Sequence, residues 1–229
     1  MAEPSLSKQA YQLIKTDIVS CKLGPGQLIG QAALAQTYPL GITPIREALR
    51  QLAQEGFVQS VPRLGYIVSL ITVQDVEEIY EMRIMLESFA ARLAAERGSH
   101  EQLKALHESA GFTYTYKNTA SYTEFLQHNA DFHHTIALAG GNQRLAEMIK
   151  RTLDELNRVF HLGLDYRDSA EEMSLDHVAL AKALYERNAD QAEKVVRSEI
   201  TRSRERVLQA LKQLPNIPYN SGSFTSFTR

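Results

Sequence analysis

The chain has 229 residues, 44% hydrophobic and 23% charged, with a net charge of −2; it can bury a core as one large domain or two modest ones, and it is not a chain-wide polyanion binder. A single cysteine, Cys21, excludes a disulfide framework. No apolar run has the length of a membrane span, and Met1–Lys15 lacks the apolar core of a secretory leader, so a soluble cytoplasmic protein is expected. Charge is uneven along the chain. Residues 1–71 hold six Lys/Arg against four Asp/Glu, and the remainder holds nineteen against twenty-three. The N-terminal part is therefore the nucleic-acid face that charge allows, although its excess is too small to identify one.

The predicted elements begin with a helix from Ser5 to about Cys21, with Ala10, Leu13, Ile14, Ile18 and Val19 at helical spacing. Gly24-Pro25-Gly26 ends it, Leu28-Ile29 is a short extended piece, and Gln31–Gln36 is a short helix. After a turn at Tyr38–Gly41, Thr43 reads as an N-cap with Pro44 at the first helical position, and the helix runs to Leu52 and stops near Gly56. Two strands, Phe57–Val61 and Gly65–Leu70, flank a hairpin tip at Pro62-Arg63-Leu64. Helix, short helix, turn, capped helix and ribbon make a winged helix-turn-helix, in which one helix enters the major groove and the ribbon reaches backbone or minor groove.

From Thr72 the pattern is wholly helical. Thr72 caps a long helix to about Arg97, with an apolar stripe of Val76, Ile79, Met82, Met85, Leu86, Phe89 and Leu93, and Ser99 with Gln102 forms a capping box for the next helix. Further helices are predicted at roughly 120–139, 143–162, 168–187 and 189–213. The fold class is thus mainly α: a winged helix-turn-helix over 1–71, an antiparallel all-helical bundle with room for a pocket over 72–213, and a flexible polar tail over 214–229.

The run Thr43-Pro44-Ile45-Arg46-Glu47-Ala48-Leu49-Arg50-Gln51-Leu52, followed by Glu55-Gly56 and preceded by Pro25-Gly26 and Leu34-Ala35, resembles the winged-helix domain of the GntR family. Asp75, Glu78, Arg83 and Leu86-Glu87, with the later Phe132-His133 and Gly141-Asn142, resemble the effector (FCD) domain of its FadR-type branch. The resemblance spans residues 5–213. It implies a homodimer on an inverted-repeat DNA operator, and a small molecule in the helical domain that changes DNA affinity.

Candidate DNA contacts follow. Arg46 lies near the start of the capped helix, where an arginine reaches phosphate or a guanine edge. Thr43 and Pro44 begin that helix, Arg50 is one turn further on, and Arg63 and Gly65 lie at the ribbon tip. Each arginine is also explained as an ordinary solvated side chain. The chain departs from the family pattern at Gly41-Ile42, where a Ser-Arg or Thr-Arg pair is usual, at Ala32, and at Arg63-Leu64-Gly65, where Gly-Arg-Gly is usual. Ile42 either meets a thymine methyl or marks altered DNA reading.

In the helical part, Asn129 and His133 are i and i+4 and approach one point. The resemblance aligns Asn129, His133, His177 and Glu199 with an Asp and three His that hold a metal in the branch, so two ligand types match and two are changed. Histidine with carboxylate suits Zn²⁺ or a similar divalent ion; the alternative is a metal-free cluster of buried polar groups. Arg83 either pairs with Glu87 at i+4 or, as the branch implies, clamps a carboxylate effector together with Asn129. His134 reads as surface or packing, and His100, His107, His128 and His161 show no partner pattern. The expected effector is a small organic acid. The rivals are a metal-free sensor of an acyl-type ligand and a helical metalloenzyme, the latter disfavoured by the lack of a nucleophile motif or phosphate loop.

Overall fold

The computed structural model describes residues 4–164 and 166–213, without the side chains of residues 161–163. The expected flexible tail, 214–229, and the His161 side chain lie outside the described residues. Two units divide at Ile71/Thr72.

In the first unit, α1 (Leu6–Val19) starts at Ser5, whose hydroxyl accepts from the Lys8 N–H. It buries Ala10, Ile14 and Ile18, whereas Leu13 is 45% exposed. β1 (Leu28–Ile29), α2 (Gln31–Thr37), α3 (Ile42–Gln54), β2 (Val58–Val61) and β3 (Gly65–Val68) follow. The strands form an antiparallel sheet of order β1-β3-β2, with Ile29 opposite Tyr66 and Ser60 opposite Tyr66 on its other side. One core joins α1, α2, α3 and this sheet through Ile14, Ile18, Leu34, Ile45, Leu49, Leu52, Phe57 and Val68. Polar bonds fix α1 against α3: Ser7 donates to Glu47, and Tyr11 donates to Glu55 Oε2 at 2.7 Å. Tyr38 donates to Asp17, tying the end of α2 back to α1.

The start of α3 corrects one expectation. Gly41, not Thr43, is the N-cap; Ile42 is the first helical residue, Thr43 the second and Pro44 the third. Gly41 has φ of 85°, a conformation that glycine adopts without a Cβ penalty, and this turns the chain into the helix two residues early. Pro44 still fits, because the third helical N–H has no intrahelical acceptor to lose.

The second unit comprises α4 (Val73–Arg97), α5 (His100–Ser109), α6 (Thr119–Ala139), α7 (Gln143–Gly163), α8 (Ala170–Tyr185) and α9 (Ala189–Leu211). Side-chain caps start five of them. Thr72 with Asp75 and Ser99 with Gln102 form reciprocal capping boxes, and Asn118, Asn142 and Asn188 each accept an N–H three residues on. α4 runs antiparallel to α9, as the descending partners Glu77–Arg204, Tyr80–Ser203 and Arg92–Glu193 require. The expected stripe on α4 divides. Val76, Ile79 and Leu93 are buried, while Met82, Met85 and Phe89 are 44%, 74% and 52% exposed on the opposite face. The buried face instead takes in Tyr80, Arg83 and Glu87.

Backbone geometry generates a stability prediction. Gly65 has φ of 110°, and a Cβ there would come within 2.8 Å of the Ile29 carbonyl oxygen on β1. Gly65→Ala should destabilise the chain by about 1–3 kcal/mol. Gly24→Ala, where the nearest atom to a new Cβ is 3.9 Å away, should stay within about 0.5 kcal/mol. Urea unfolding followed by circular dichroism checks both; equal effects would contradict the assigned wing geometry.

Candidate metal centre and DNA-facing surface

Four helices bring chemistry to the middle of the second unit. Arg83 and Glu87 come from α4, His133 from α6, His177 from α8 and Glu199 from α9, none more than 6% exposed. Arg83 donates from Nε to Glu87 Oε1 at 2.5 Å and from Nη2 to Oε2 at 3.2 Å, a bidentate pair fixed by the i, i+4 spacing. His133 Nδ1 lies 2.9 Å from Glu87 Oε2, and its Nε2 lies 3.1 Å from Glu199 Oε1. His177 Nε2 is 3.4 Å from the same Glu199 oxygen. One ligand atom from each of His133, His177 and Glu199 lies within 4.8 Å of the others.

Charge in this centre is set by pairing against burial. Burial disfavours every ion here. For Glu87, the Arg83 guanidinium and His133 overcome burial and hold the carboxyl down to about 2. For His133, Glu199 and Glu87 overcome burial and raise the imidazole to about 9. Glu199 is held well below the carboxylate range, against burial, by the two histidines, and Arg83 stays protonated because Glu87 offsets its desolvation.

Hydrogen bonding is nevertheless incomplete. His133 Nε2, both nitrogens of His177 and Glu199 Oε2 are buried without a hydrogen-bond partner. The short approach of His133 Nε2 to Glu199 thus lacks the alignment of an N–H···O bond. Orphaned buried donors and acceptors are costly and rare. Here they belong to the three residues whose ligand atoms converge, and two imidazoles with a carboxylate are a donor set that fits a divalent cation. Glu87 behind His133 repeats the carboxylate–histidine arrangement that orients a ligating imidazole. The residues present therefore fit a metal ion.

Of the expected site residues, the structure brings together His133, His177, Glu199 and Arg83. Asn129 is buried one turn before His133 on α6. The sequence marks Glu87 as an ion-pair partner of Arg83 and as part of the family pattern; its second contact, to His133, is missed, because the 83/87 spacing shows the pair but not which helix faces it. Phe112 is missed altogether. It stacks on His177 with ring centroids 4.6 Å apart and lies 5.9 Å from His128. His100 and His107 also have ring contacts, both to Tyr185. His134 Nε2 is buried without a hydrogen-bond partner.

In the first unit, Ile42, Thr43, Arg46 and Arg50 are exposed on α3, beside the more covered Pro44. Arg63, with φ of 66°, and the 61%-exposed Leu64 form the wing tip before Gly65. Glu47 and Glu55, the acidic residues of α3 and its end, bond to Ser7 and Tyr11 of α1.

Residues 6–68 match the gntR family of bacterial regulatory proteins, and residues 78–202 match the FCD domain. The HTH-type transcriptional regulator YdhC of Bacillus subtilis is 26% identical over 208 residues, covering 90% of this chain and 92% of its own. The HTH-type transcriptional repressor GlaR of Escherichia coli is 28% identical over 203 residues, covering 85% and 92%. Among solved structures, E. coli McbR/YncC has a TM-score of 0.77 at 21% identity over 91% of this chain and 100% of its own, a likeness of fold. No described helix is long and apolar enough to cross a membrane. The chain belongs to the gntR family of DNA-binding transcriptional regulators, not to an enzyme family, and carries the FCD domain as its second part.

Proposed function

We propose that this regulator acts as a homodimeric repressor on an inverted-repeat operator, and that a small organic acid, bound at a metal ion in the helical unit, controls its DNA affinity. The observation that carries the reading is the set of unpartnered polar atoms on His133, His177 and Glu199. These three residues hold the cation, Zn²⁺ by ligand type, with Asn129 as a weak ligand or an effector contact. The cation supplies open positions for an oxygen donor. In the metal-free centre, Arg83 and protonated His133 balance Glu87 and Glu199. Exchange of the His133 proton for a divalent cation leaves those groups with a net charge of +1. A buried uncompensated charge is costly, and a carboxylate neutralises it. Arg83 gives Nε and Nη2 to Glu87, which leaves Nη1 for the effector. A long apolar acyl chain offers no such compensation, and this favours the acid over the acyl-type ligand.

Met82, Met85 and Phe89, exposed on one face of α4, support the dimer, because a two-fold interface places the same apolar patch on both partners. Thr43, Pro44, Arg46 and Arg50 of α3, with Arg63 and Gly65 of the wing, contact the operator in this reading. The name of the repressor GlaR supports the sign of control. The central residues are buried, so effector entry requires the bundle to open. The ligand then shifts DNA affinity by its differential affinity for the two packings.

Two measurements test this. In chelator, the folded-state pKa of His133 near 9 exceeds its unfolded value near 6.5. The stability it contributes is full below about pH 6.5 and is lost as pH rises through about 9. Zn²⁺ competes with that proton, so the Tm difference between Zn²⁺-loaded and chelated protein should widen from pH 6.5 to 8.5, reaching about 2.7 kcal/mol of added stability at a hundredfold excess of metal over Kd. His133→Ala and His177→Ala should lose bound metal and the difference. Equal melting with and without chelator at every pH would remove the metal.

For the effector, calorimetry of the Zn²⁺-loaded protein across small carboxylic acids should find a binder. Arg83→Lys, which keeps charge but loses the planar fork, should weaken it about tenfold or more, while DNA affinity without effector is nearly unchanged. A best ligand that is uncharged or long and apolar would contradict the carboxylate reading.

A further inference from the structure

The exposed ridge of α3 reads Ile42, Arg46, Arg50 and Gln54 at i, i+4, i+8 and i+12, one line along the helix. Ile42 opens that ridge as the first helical residue and is 55% exposed, off the buried row of Ile45, Ala48, Leu49 and Leu52. Single exposed apolar residues are ordinary, so exposure alone decides nothing; its neighbours do. Arg46 and Arg50 have no hydrogen-bond or ion-pair partner among the described residues. Glu47, next to Arg46 in the helix, accepts from the Ser7 hydroxyl of α1. The ridge thus presents to a duplex two cations that have no partner among the described residues, and one apolar tip ahead of them.

A helix N-terminus favours anions, and a sec-butyl group neither caps the helix nor takes a phosphate. Base edges in the major groove offer hydrogen-bonding atoms at every pair but a single apolar group, the C5-methyl of thymine. We propose that Ile42 is a sequence-reading residue that closes on a thymine methyl in each half-site, where Arg46 and Arg50 hold the helix to phosphate or guanine. The inference rests on α3 being the DNA-docking helix and adds to it the base that the first residue selects.

The test uses the full chain. An operator is selected from a random duplex library with the wild-type protein. Each thymine is then replaced singly by deoxyuridine, which removes the methyl and keeps the pairing. Kd is measured for wild type, Ile42→Ala and Ile42→Val, with matched melting temperatures as the check on folding. One thymine per half-site should weaken wild-type binding about fourfold when its methyl is removed, the factor that corresponds to about 0.8 kcal/mol for one buried carbon. Ile42→Ala should show no further loss at that thymine and an ordinary response elsewhere. Ile42→Val, which keeps a branched apolar tip, should retain the methyl preference. If wild type and Ile42→Ala respond alike at every thymine, Ile42 packs on the sugar–phosphate backbone and the proposal is overturned. If wild type enriches no sequence while binding duplexes indiscriminately, α3 reads no bases at all, and the docking assignment fails together with it.

Discussion

An arginine with 2% of its surface exposed has to find its counter-charge inside the protein, and Arg83 finds it four residues on, in Glu87. The remainder of the helical unit is arranged around that requirement. Glu87 has a second oxygen edge, which His133 occupies; His133 in turn faces Glu199, and Glu199 faces His177. Each charge in this row is tolerable only because its neighbour has the opposite sign. Removing one partner would strand a buried ion, which costs far more than an exposed pair contributes. Four helices must therefore keep their register for the row to exist, and Tyr80–Ser203 at 2.8 Å fixes α4 against α9 one turn away. The same row ends in polar atoms with no partner, so the structure is satisfied at the Arg83 end and unsatisfied at the His177 end.

The DNA-binding unit uses its polar contacts differently. Ser7, Tyr11 and Lys15 of α1 hold Glu47 and Glu55, and Asp17 holds Tyr38. These bonds brace α1 against α3 and against the end of α2. The positive φ at Gly41 and Gly65 sets the two features that the proposal turns toward DNA, the start of α3 and the wing.

Much of this was legible in the sequence because the local signals are strong. Thr72 caps α4 and Ser99 forms a capping box with Gln102, as their positions predict, and helix ends follow Gly98 and Gly140-Gly141. Thr43 was misread because a Thr-Pro pair is a strong start signal, whereas a glycine's φ is invisible until the chain is folded. On α4, both faces carry apolar residues, so periodicity cannot say which one is buried. In the site, helix spacing gives only pairs such as Asn129/His133 and Arg83/Glu87. The meeting of His133, His177 and Glu199 involves residues up to 66 positions apart, and it entered the sequence reading through family resemblance alone. The contact of Glu87 with His133 and the stacking of Phe112 on His177 are tertiary facts with no local signature.

The central claim is that the unsatisfied end of the buried row is a metal centre. Anomalous diffraction from crystals of the full chain grown with Zn²⁺, recorded on both sides of the zinc absorption edge, tests it most directly. The account predicts one peak per chain in the helical unit, about 2.0–2.2 Å from His133 Nε2, His177 Nε2 and a Glu199 oxygen, with Glu87 still on His133 Nδ1. The contradicting result is the absence of a peak there at saturating metal, with His133 and His177 remaining in direct contact with Glu199.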